Sequence, residues 1–238
     1  MSQTFEISLP TELSGIKLKQ YQRYIKTVQT DPDKQPTEQE IEFANLKLLE
    51  CFCGLSLKEA HKLPMTEFTG ILRHISELFK EKTPLQRMFT MTDKNGKTIE
   101  FGFIPKLDDI SMGEFIDLDK YISDWQQMHK AMAVLYRPIK YKKGDLYLIE
   151  DYEGTDKYSE IMLDSPVNAA IGATVFFYNL GKELSKVMIH SLEKYLEQES
   201  DSLQVSEING DGINQSMHLL TEMSKNLKKL QSSPYFNV

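Results

Sequence analysis

Carboxylates form the densest group of chemically capable side chains in the sequence. Within residues 108–119 they are Asp108, Asp109, Glu114, Asp117 and Asp119. Paired carboxylates can bind a divalent cation or act as general acid and base. The spacing is not that of an EF-hand loop, which needs a D-x-D-x-D-G run and a terminal Glu. Three interpretations stay open: helix capping, an acidic docking surface, and a metal or catalytic site. We favour capping, because Ser111 and Glu114 have the spacing of a capping box.

Histidine and cysteine give no clearer sign of chemistry. His61 and His74 lie at no usual metal spacing from a cysteine pair or a carboxylate. His129 shares a predicted helix with charged neighbours and is expected to be packed or hydrogen-bonded. Cys51 and Cys53 lack the two-residue gap of zinc knuckles and redox pairs. On a helix they point to different sides, so we expect buried free thiols in a reducing compartment. We therefore predict no catalytic, cofactor or metal site and no enzyme activity.

The length and amino-acid composition of the chain are those of an ordinary globular protein. It has 238 residues, of which 40% are hydrophobic and 26% charged. Its net charge of −7 disfavours general binding to nucleic-acid backbones, which needs clustered cations. The longest apolar run, Ala169–Tyr178, is about half of a membrane span. No charged segment followed by an apolar one opens the sequence in the manner of a signal peptide. We expect a soluble protein without a membrane span.

Periodicity predicts a helical layer over residues 14–82. Leu18, Tyr21, Ile25 and Val28 recur at helical spacing. Capping boxes at 37–40 and 56–59 and a cap at Thr66 are expected to start the next three helices. Gly54 is expected to end the first of them in a left-handed conformation.

Alternating residues predict strands in three places. One is a short strand at 4–10. A hairpin is expected near 86–104, turning at Asn95-Gly96, where both residues tolerate positive φ. A second hairpin is expected near 139–152, turning at 143–145. The predicted packing residues of this second hairpin are Tyr141, Leu146, Leu148 and Tyr152.

Two further helices complete the predicted domain. The first runs from about 118 to 136, carries the only tryptophan, and is capped by Asp117 or Asp119. It ends at Arg137-Pro138, because proline cannot continue a helix. The second runs over 165–198, with Ser165 as its cap and close packing at Gly172 and Gly181.

The predicted fold class is α+β: a mostly helical domain at 1–198 with two small β-hairpins and a C-terminal amphipathic tail helix. Residues 199–212 are polar and are expected to form a linker. Residues 213–238 carry apolar residues at helical spacing opposite lysines, which predicts an amphipathic tail that docks on its own domain or on a partner.

Three segments resemble a family of tailed-bacteriophage proteins, including those of crAss-like phages. They are GFIPKLDDISMGEFIDLDKYI at 102–122, MHKAMAVLYRPI at 128–139 and NAAIGATVFFYNLG at 168–181. KQYQRYI at 19–25 and GLSLKEAHKLPMTEF at 54–68 also resemble the start of such proteins. The resemblance covers roughly residues 5–198. It implies a phage structural or assembly protein without implying a particular chemistry.

Two roles compete within that family. The first is a virion protein at the portal, neck or tail, either a gatekeeper or a carried protein, present in several copies of a symmetric assembly. The second is a tail assembly chaperone that is absent from mature particles, and an intracellular phage enzyme is a third class. We expect other phage structural proteins as partners and a location in the virion, with passage through the host cytoplasm during assembly. The predicted partner-binding residues are Trp125, Tyr136, Arg137, Leu220, Met223 and Leu227. Trp125 and Tyr136 also suit a core position.

Overall fold

The computed structural model describes residues 7–28, 35–106, 110–180 and 190. The chain divides into two compact units, Met1–Ala173 and Thr174–Val238. In the second unit residues 174–180 and 190 are described, and they are helical. The predicted linker and tail, with Leu220, Met223 and Leu227, lie outside the described residues.

The first unit begins with four helices, which confirm the helical layer. A 3-10 turn at Leu13–Gly15 precedes α1 (Leu18–Thr27), α2 (Glu38–Cys53), α3 (Leu57–Ala60) and α4 (Met65–Lys80). After the first hairpin come α5 (Met112–Tyr121), α6 (Met128–Leu135) and α7 (Asp156–Met162). A last helix, α8, is described over residues 167–180.

The strands form one antiparallel sheet. They are β1 (Met88–Thr92), β2 (Thr98–Phe103), β3 (Tyr136–Lys143) and β4 (Leu146–Ile149), in the order β1-β2-β3-β4. Both predicted hairpins are confirmed, and so is the α+β class. Pairing of Phe103 with Tyr136 joins the hairpins into a single sheet, which the sequence did not predict.

Three helix starts follow their predicted caps. Capping boxes with both reciprocal bonds are present at Thr37, Ser56 and Ser111. Gly54 ends α2 with φ of 71°, as expected. The prediction for Thr66 is wrong, because α4 already begins at Met65, directly behind Pro64. In the first hairpin turn Gly96 has positive φ and Asn95 does not.

The predicted single helix over 118–136 is wrong. Turns occupy residues 122–127 between α5 and α6. The backbone N–H of Gln126 donates to the Asp124 carboxylate there, and such local bonds compete with a continuous helix. Tyr136 and Arg137 do not end a helix but open β3, since their backbone pairs with β2. Asp117 and Asp119 lie inside α5, and the N-cap of α6 is Gln127 rather than either of them.

Three smaller expectations concern the ends of the first unit. Residues 7–10 have no regular structure, and the rest of the predicted first strand lies outside the described residues. Ser165 does not cap α8; its hydroxyl donates to the Met162 carbonyl. Close packing at Gly172 is confirmed, because an added Cβ would lie 2.5 Å from the Pro84 carbonyl oxygen. Gly181 lies outside the described residues.

The predicted packing face of the second hairpin is wrong for three of its four residues, whereas the fourth, Tyr152, is half-buried beneath Arg137. Tyr141, Leu146 and Leu148 are exposed, and Tyr147 between them is buried. Gly102 explains the reversal, because its missing side chain leaves the space that the Tyr147 ring occupies. The Tyr147 hydroxyl then donates to the Phe103 carbonyl at 2.8 Å.

The core of the first unit joins the sheet to the helices. Phe89, Phe101, Phe103 and Tyr136 make ring contacts across β1, β2 and β3. Tyr158 of α7 packs edge-on against Phe101, with ring centroids 5.8 Å apart. Residues 131–135 of α6 are buried, as are Cys51 and Cys53 of α2, which confirms that the cysteines are free and buried.

Candidate protein-binding site on helix α5

A buried ion pair anchors α5 to the sheet. Nη1 of Arg137 in β3 lies 2.5 Å from Oε1 of Glu114 in α5, and both side chains are buried. Glu114 is also the acidic member of the α5 capping box, since its Oε2 accepts the Ser111 backbone N–H at 2.7 Å. One carboxylate therefore starts the helix and attaches it to β3.

Electrostatics keep this carboxylate ionised. Burial alone would raise the pKa of Glu114, but the bonds from Ser111 and the Arg137 guanidinium outweigh burial and lower that pKa. The Arg137 guanidinium also lies over the Tyr152 ring, 5.5 Å from its centroid. The Tyr152 hydroxyl donates to the Asp117 carboxylate at 2.5 Å. Glu114 and Asp117 of α5 are thus bonded to Arg137 of β3 and to Tyr152, which follows β4.

The opposite side of α5 presents apolar side chains to solvent. Met112, Phe115 and Ile116 are 73%, 55% and 57% exposed. Spacings of three and four residues place them on one helix face. Asp119, also exposed, lies one further turn along the same face. We call these four residues the α5 outer face.

This arrangement reverses the usual amphipathic helix, which buries apolar residues and exposes charged ones. Leu118 is buried beside Glu114, so α5 contributes some packing inward. Clustered exposed apolar side chains on a helix are typical of surfaces that insert into a groove of another protein. The α5 outer face is therefore the candidate functional site.

The acidic segment does not assemble a metal centre in the described residues. No group of three or more His, Cys, Asp or Glu side chains among them can hold a metal ion. Asp108 and Asp109 lie outside the described residues. The capping interpretation is confirmed for Ser111 and Glu114.

The partner-binding residues predicted near this helix lie mainly inside the domain. Tyr136 is fully buried, and its hydroxyl donates to the Gln86 carbonyl at 2.6 Å. Arg137 is buried against Glu114. Trp125 is partly buried in the turns before α6 and meets Tyr21 edge-on at 4.9 Å. This placement favours the core interpretation of Tyr136, and direct contact of these three residues with a partner stays a prediction.

Other reactive side chains have structural partners. Nδ1 of His129 lies 3.2 Å from the Gln22 amide nitrogen, and burial, followed by the nearby Lys130, lowers the pKa of His129. Nε2 of His74 lies 2.9 Å from the Pro10 carbonyl oxygen. Burial raises the pKa of Cys53 to about 11, so its thiol is protonated at neutral pH and a poor nucleophile. In the described part of the chain no histidine is hydrogen-bonded to a carboxylate or a cysteine.

An open groove of about 400 Å³ lies between the start of the described chain and α4. Its lining residues are Ile7, Leu9, Glu67, Gly70 and Ile71. Ligand sites usually bring a few polar groups together in an apolar cavity. This groove offers one carboxylate on an open surface and carries no argument for catalysis.

Sequence reasoning missed the α5 outer face for a specific reason. Apolar residues recur on several sides of this helix, so periodicity alone does not decide which side is buried. The deciding fact is that Glu114 faces inward, and this follows from its long-range pair with Arg137. The capping box was the only local signal, and it fixes the helix start rather than its burial.

Comparisons with protein-family models, curated proteins and solved structures give no match for this chain. Among the described residues no helix has both the length and the apolar character needed to cross a membrane.

Proposed function

We propose that this chain is a non-enzymatic virion protein of a tailed phage that acts by protein–protein interaction at the portal, neck or tail, as a gatekeeper or a carried protein. The observation that carries the proposal is the α5 outer face, which directs Met112, Phe115 and Ile116 into solvent. The same helix lies within residues 102–122, the longest of the segments that resemble phage proteins. Both lines of support therefore concern the same residues.

The α5 outer face is large enough to contribute strongly to binding. Fully burying a side chain of the Leu, Ile, Phe or Met type contributes about 1.5–3 kcal/mol. A loss of about 1.4 kcal/mol weakens binding tenfold. Because the side chains are already held on an anchored helix, a partner would not have to order the backbone on which they stand.

The test is quantitative mass spectrometry of purified mature particles beside the infected-cell lysate, for a phage that encodes this chain. We expect several copies per particle, with a fixed symmetric number if the position is on the portal–tail axis. Substitution Phe115→Ser should lower the particle-bound amount at least tenfold, since a central apolar contact is lost. Met65→Ser is the matched control, because Met65 is an exposed apolar residue at the start of α4.

Each outcome has a clear meaning. Presence in the lysate alone refutes a virion protein and favours the tail assembly chaperone or an intracellular enzyme. Equal incorporation of Phe115→Ser and the unchanged protein refutes the α5 outer face as the contact. Circular dichroism of both variants separates lost binding from lost folding.

A further inference from the structure

A hydrogen-bonded junction joins α1 to the turns before α6. Its centre is Gln22, a polar residue of α1 that is only 6% exposed. The Gln22 side-chain nitrogen donates to the Trp125 carbonyl at 2.8 Å and lies 3.2 Å from Nδ1 of His129. The Gln126 side-chain nitrogen donates in turn to the Gln22 backbone carbonyl at 3.1 Å. We call Gln22, Trp125, Gln126 and His129 the α1 junction.

The α1 junction requires a neutral imidazole. A carbonyl oxygen only accepts hydrogen bonds, so the Trp125 carbonyl determines that the nitrogen of the Gln22 amide faces it. The second N–H of that nitrogen is then left for Nδ1 of His129, which must accept it. An accepting Nδ1 carries no proton, so the single ring proton of His129 lies on Nε2 in this state.

Protonation turns Nδ1 of His129 from an acceptor into a donor. Two N–H groups then point at each other, and the bond between Gln22 and His129 is lost. The Trp125 carbonyl offers a new acceptor, because the Gln22 nitrogen contacts both this carbonyl and Nδ1. The chain already contains a contact of this kind, since Nδ1 of His61 lies 2.6 Å from the carbonyl oxygen of Leu57, also four residues earlier.

We propose that protonation of His129 releases Gln22 from the α1 junction, so that α1 is held to the turns at neutral pH and loosened in acid. The charged His129 donates to the Trp125 carbonyl, and the buried Gln22 amide nitrogen loses both of its acceptors. Because a buried amide without acceptors is unfavourable, the second turn of α1 moves toward water. The α1 junction shares no residue with the α5 outer face, so this pH response is independent of the proposed function.

The charged groups nearest to His129 lie on α6 and α7. Burial is the main reason that the pKa of His129 is lowered, Lys130 beside it lowers that pKa further, and Glu160 of α7 raises it. The Glu160 carboxylate is itself 3.6 Å from Nζ of Lys94. His129 therefore has a cation next to it and a carboxylate that is shared with another lysine.

The charged groups of α1 and of the turns also have partners. Lys19 and Lys26 lie one turn to either side of the junction on the same face of α1, and Lys19 is paired with Asp164. In the turns, the Asp124 carboxylate accepts the backbone N–H of Gln126. Within the α1 junction itself, the imidazole is the one side chain that can change its charge.

Fluorescence of Trp125 reports directly on the α1 junction, because it is the only tryptophan of the chain. Its ring meets that of Tyr21 on α1 edge-on, with centroids 4.9 Å apart. Movement of α1 should therefore open Trp125 to the quencher acrylamide. For the full chain we expect quenching to rise as pH falls from 7 to 5, with a midpoint below about 6.5, while circular dichroism shows that the helices persist.

Substitution of His129 tests whether this residue is the group that titrates. His129→Gln should keep Trp125 protected from acrylamide over the whole range, because the glutamine oxygen accepts the Gln22 N–H and does not titrate. His74→Gln is the matched control, since His74 contacts the Pro10 carbonyl outside the α1 junction, and it should reproduce the curve of the unchanged chain. A rise in quenching that persists in His129→Gln overturns the proposal. So does constant quenching from pH 7 to 5 in the unchanged chain.

Substitution of Gln22 tests the donor. Gln22→Met removes the N–H that opposes a protonated Nδ1, so the pKa of His129 should rise by roughly half a unit to one unit. The shift is measured by NMR titration of the imidazole in the full chain. An unchanged pKa of His129 in a folded Gln22→Met chain overturns the exchange of bonds.

The tautomer of His129 gives a test that needs no variant. Nitrogen-15 NMR of the imidazole in the unchanged chain at pH 7 should show the proton on Nε2 and none on Nδ1. A proton on Nδ1 overturns the proposal, because the Gln22 N–H would then have no acceptor on the ring. This measurement decides the proposal even when Gln22→Met does not fold.

Discussion

At Gly172 the helix backbone lies so close to Pro84 that a side chain cannot fit. Gly172→Ala would place a Cβ 2.5 Å from a backbone carbonyl oxygen. Overpacking of this kind costs about 1–3 kcal/mol, more than the roughly 1 kcal/mol that alanine gains in helix propensity. We therefore expect Gly172→Ala to unfold at a lower urea concentration than the unchanged protein. Gly70→Ala in α4 is the matched control, because its Cβ would meet nothing within 4 Å and the change should stabilise. Stabilisation by both substitutions would contradict the close contact.

The Glu114–Arg137 pair makes a second prediction at this scale. Arg137→Met leaves a buried carboxylate without its partner, and breaking such a pair costs about 3–5 kcal/mol. The double variant with Glu114→Gln should be more stable than Arg137→Met alone, because no buried charge is left and glutamine preserves the capping box. Urea unfolding of Arg137→Met, of Glu114→Gln and of the double variant, each compared with the unchanged protein, gives the coupling energy between the two side chains. Lys140→Met is the control, since its pair with Asp151 lies in solvent and such exposed pairs contribute little to stability.

These residues also show what the sequence can predict at this scale. The capping box of Ser111 and Glu114 was predicted, because both residues lie within one turn and their chemistry is local. The pair with Arg137 was not, because it joins residues 23 apart in the chain through the tertiary fold. No local sequence pattern around Arg137 indicates that its side chain is buried.

At the scale of one helix, truncating a side chain to alanine should reduce stability strongly on the buried side of α5 and hardly at all on its exposed side. Leu118 is buried and Phe115 is exposed. We expect Leu118→Ala to cost about 2–5 kcal/mol and Phe115→Ala no more than about 0.5 kcal/mol in the isolated protein. Thermal or urea unfolding measures both. A large loss for Phe115→Ala would mean that the α5 outer face is part of the core and not a binding surface.

The second hairpin gives the same kind of prediction with adjacent residues. Tyr147 fills the space above Gly102, and Leu148 points away from it. Tyr147→Ala should cost about 3–5 kcal/mol, by analogy with other buried aromatic residues. Leu148→Ala should change stability by no more than about 0.5 kcal/mol. Similar losses in urea unfolding for both variants would contradict the observed register.

The hairpin also shows why element existence is easier to predict than orientation. Alternation and the Gly144 turn predicted two paired strands, since both signals are local. Apolar residues occur on both faces of this hairpin, so alternation did not decide which face packs. Gly102, 45 residues before Tyr147, decides it.

For the whole first unit, the sequence predicted the components and not their assembly. Helical layer, hairpins and fold class were confirmed, because each depends on periodicity within a short segment. The single sheet depends on β2 pairing with β3 across the inserted α5 and α6. That insertion also explains the failed 118–136 helix, since Tyr136 must leave the helix to pair with Phe103.

Acid stability is determined by several carboxylates of the unit together. Hydrogen bonding from Tyr158, followed by Lys157, lowers the pKa of Glu150. Burial would raise the pKa of Asp164, but bonds from Lys17 and Lys19 lower it. Glu114 behaves in the same way through Ser111 and Arg137. A carboxyl group with a lowered pKa in the folded state binds protons more weakly there than in the unfolded chain, so acid favours unfolding.

The carboxylate contribution to the free energy of unfolding should therefore be constant above about pH 5.5, where these groups are almost fully ionised in both the folded and the unfolded state. It should fall as pH drops through the lowered pKa values of the folded state. His129 adds a shallower decline that starts near pH 6.5, because its pKa is also lowered on folding.

Glu114→Gln should make the free energy of unfolding fall less steeply at acid pH, because a group that takes up a proton on unfolding is removed. Urea unfolding measured from pH 7 to 3 tests this. Glu42→Gln is the control, since that carboxylate is exposed on α2 and its loss should change the slope little. If Glu114→Gln runs parallel to the unchanged protein over the whole range, the buried pair is not linked to protonation, and α5 is held to the sheet by packing alone.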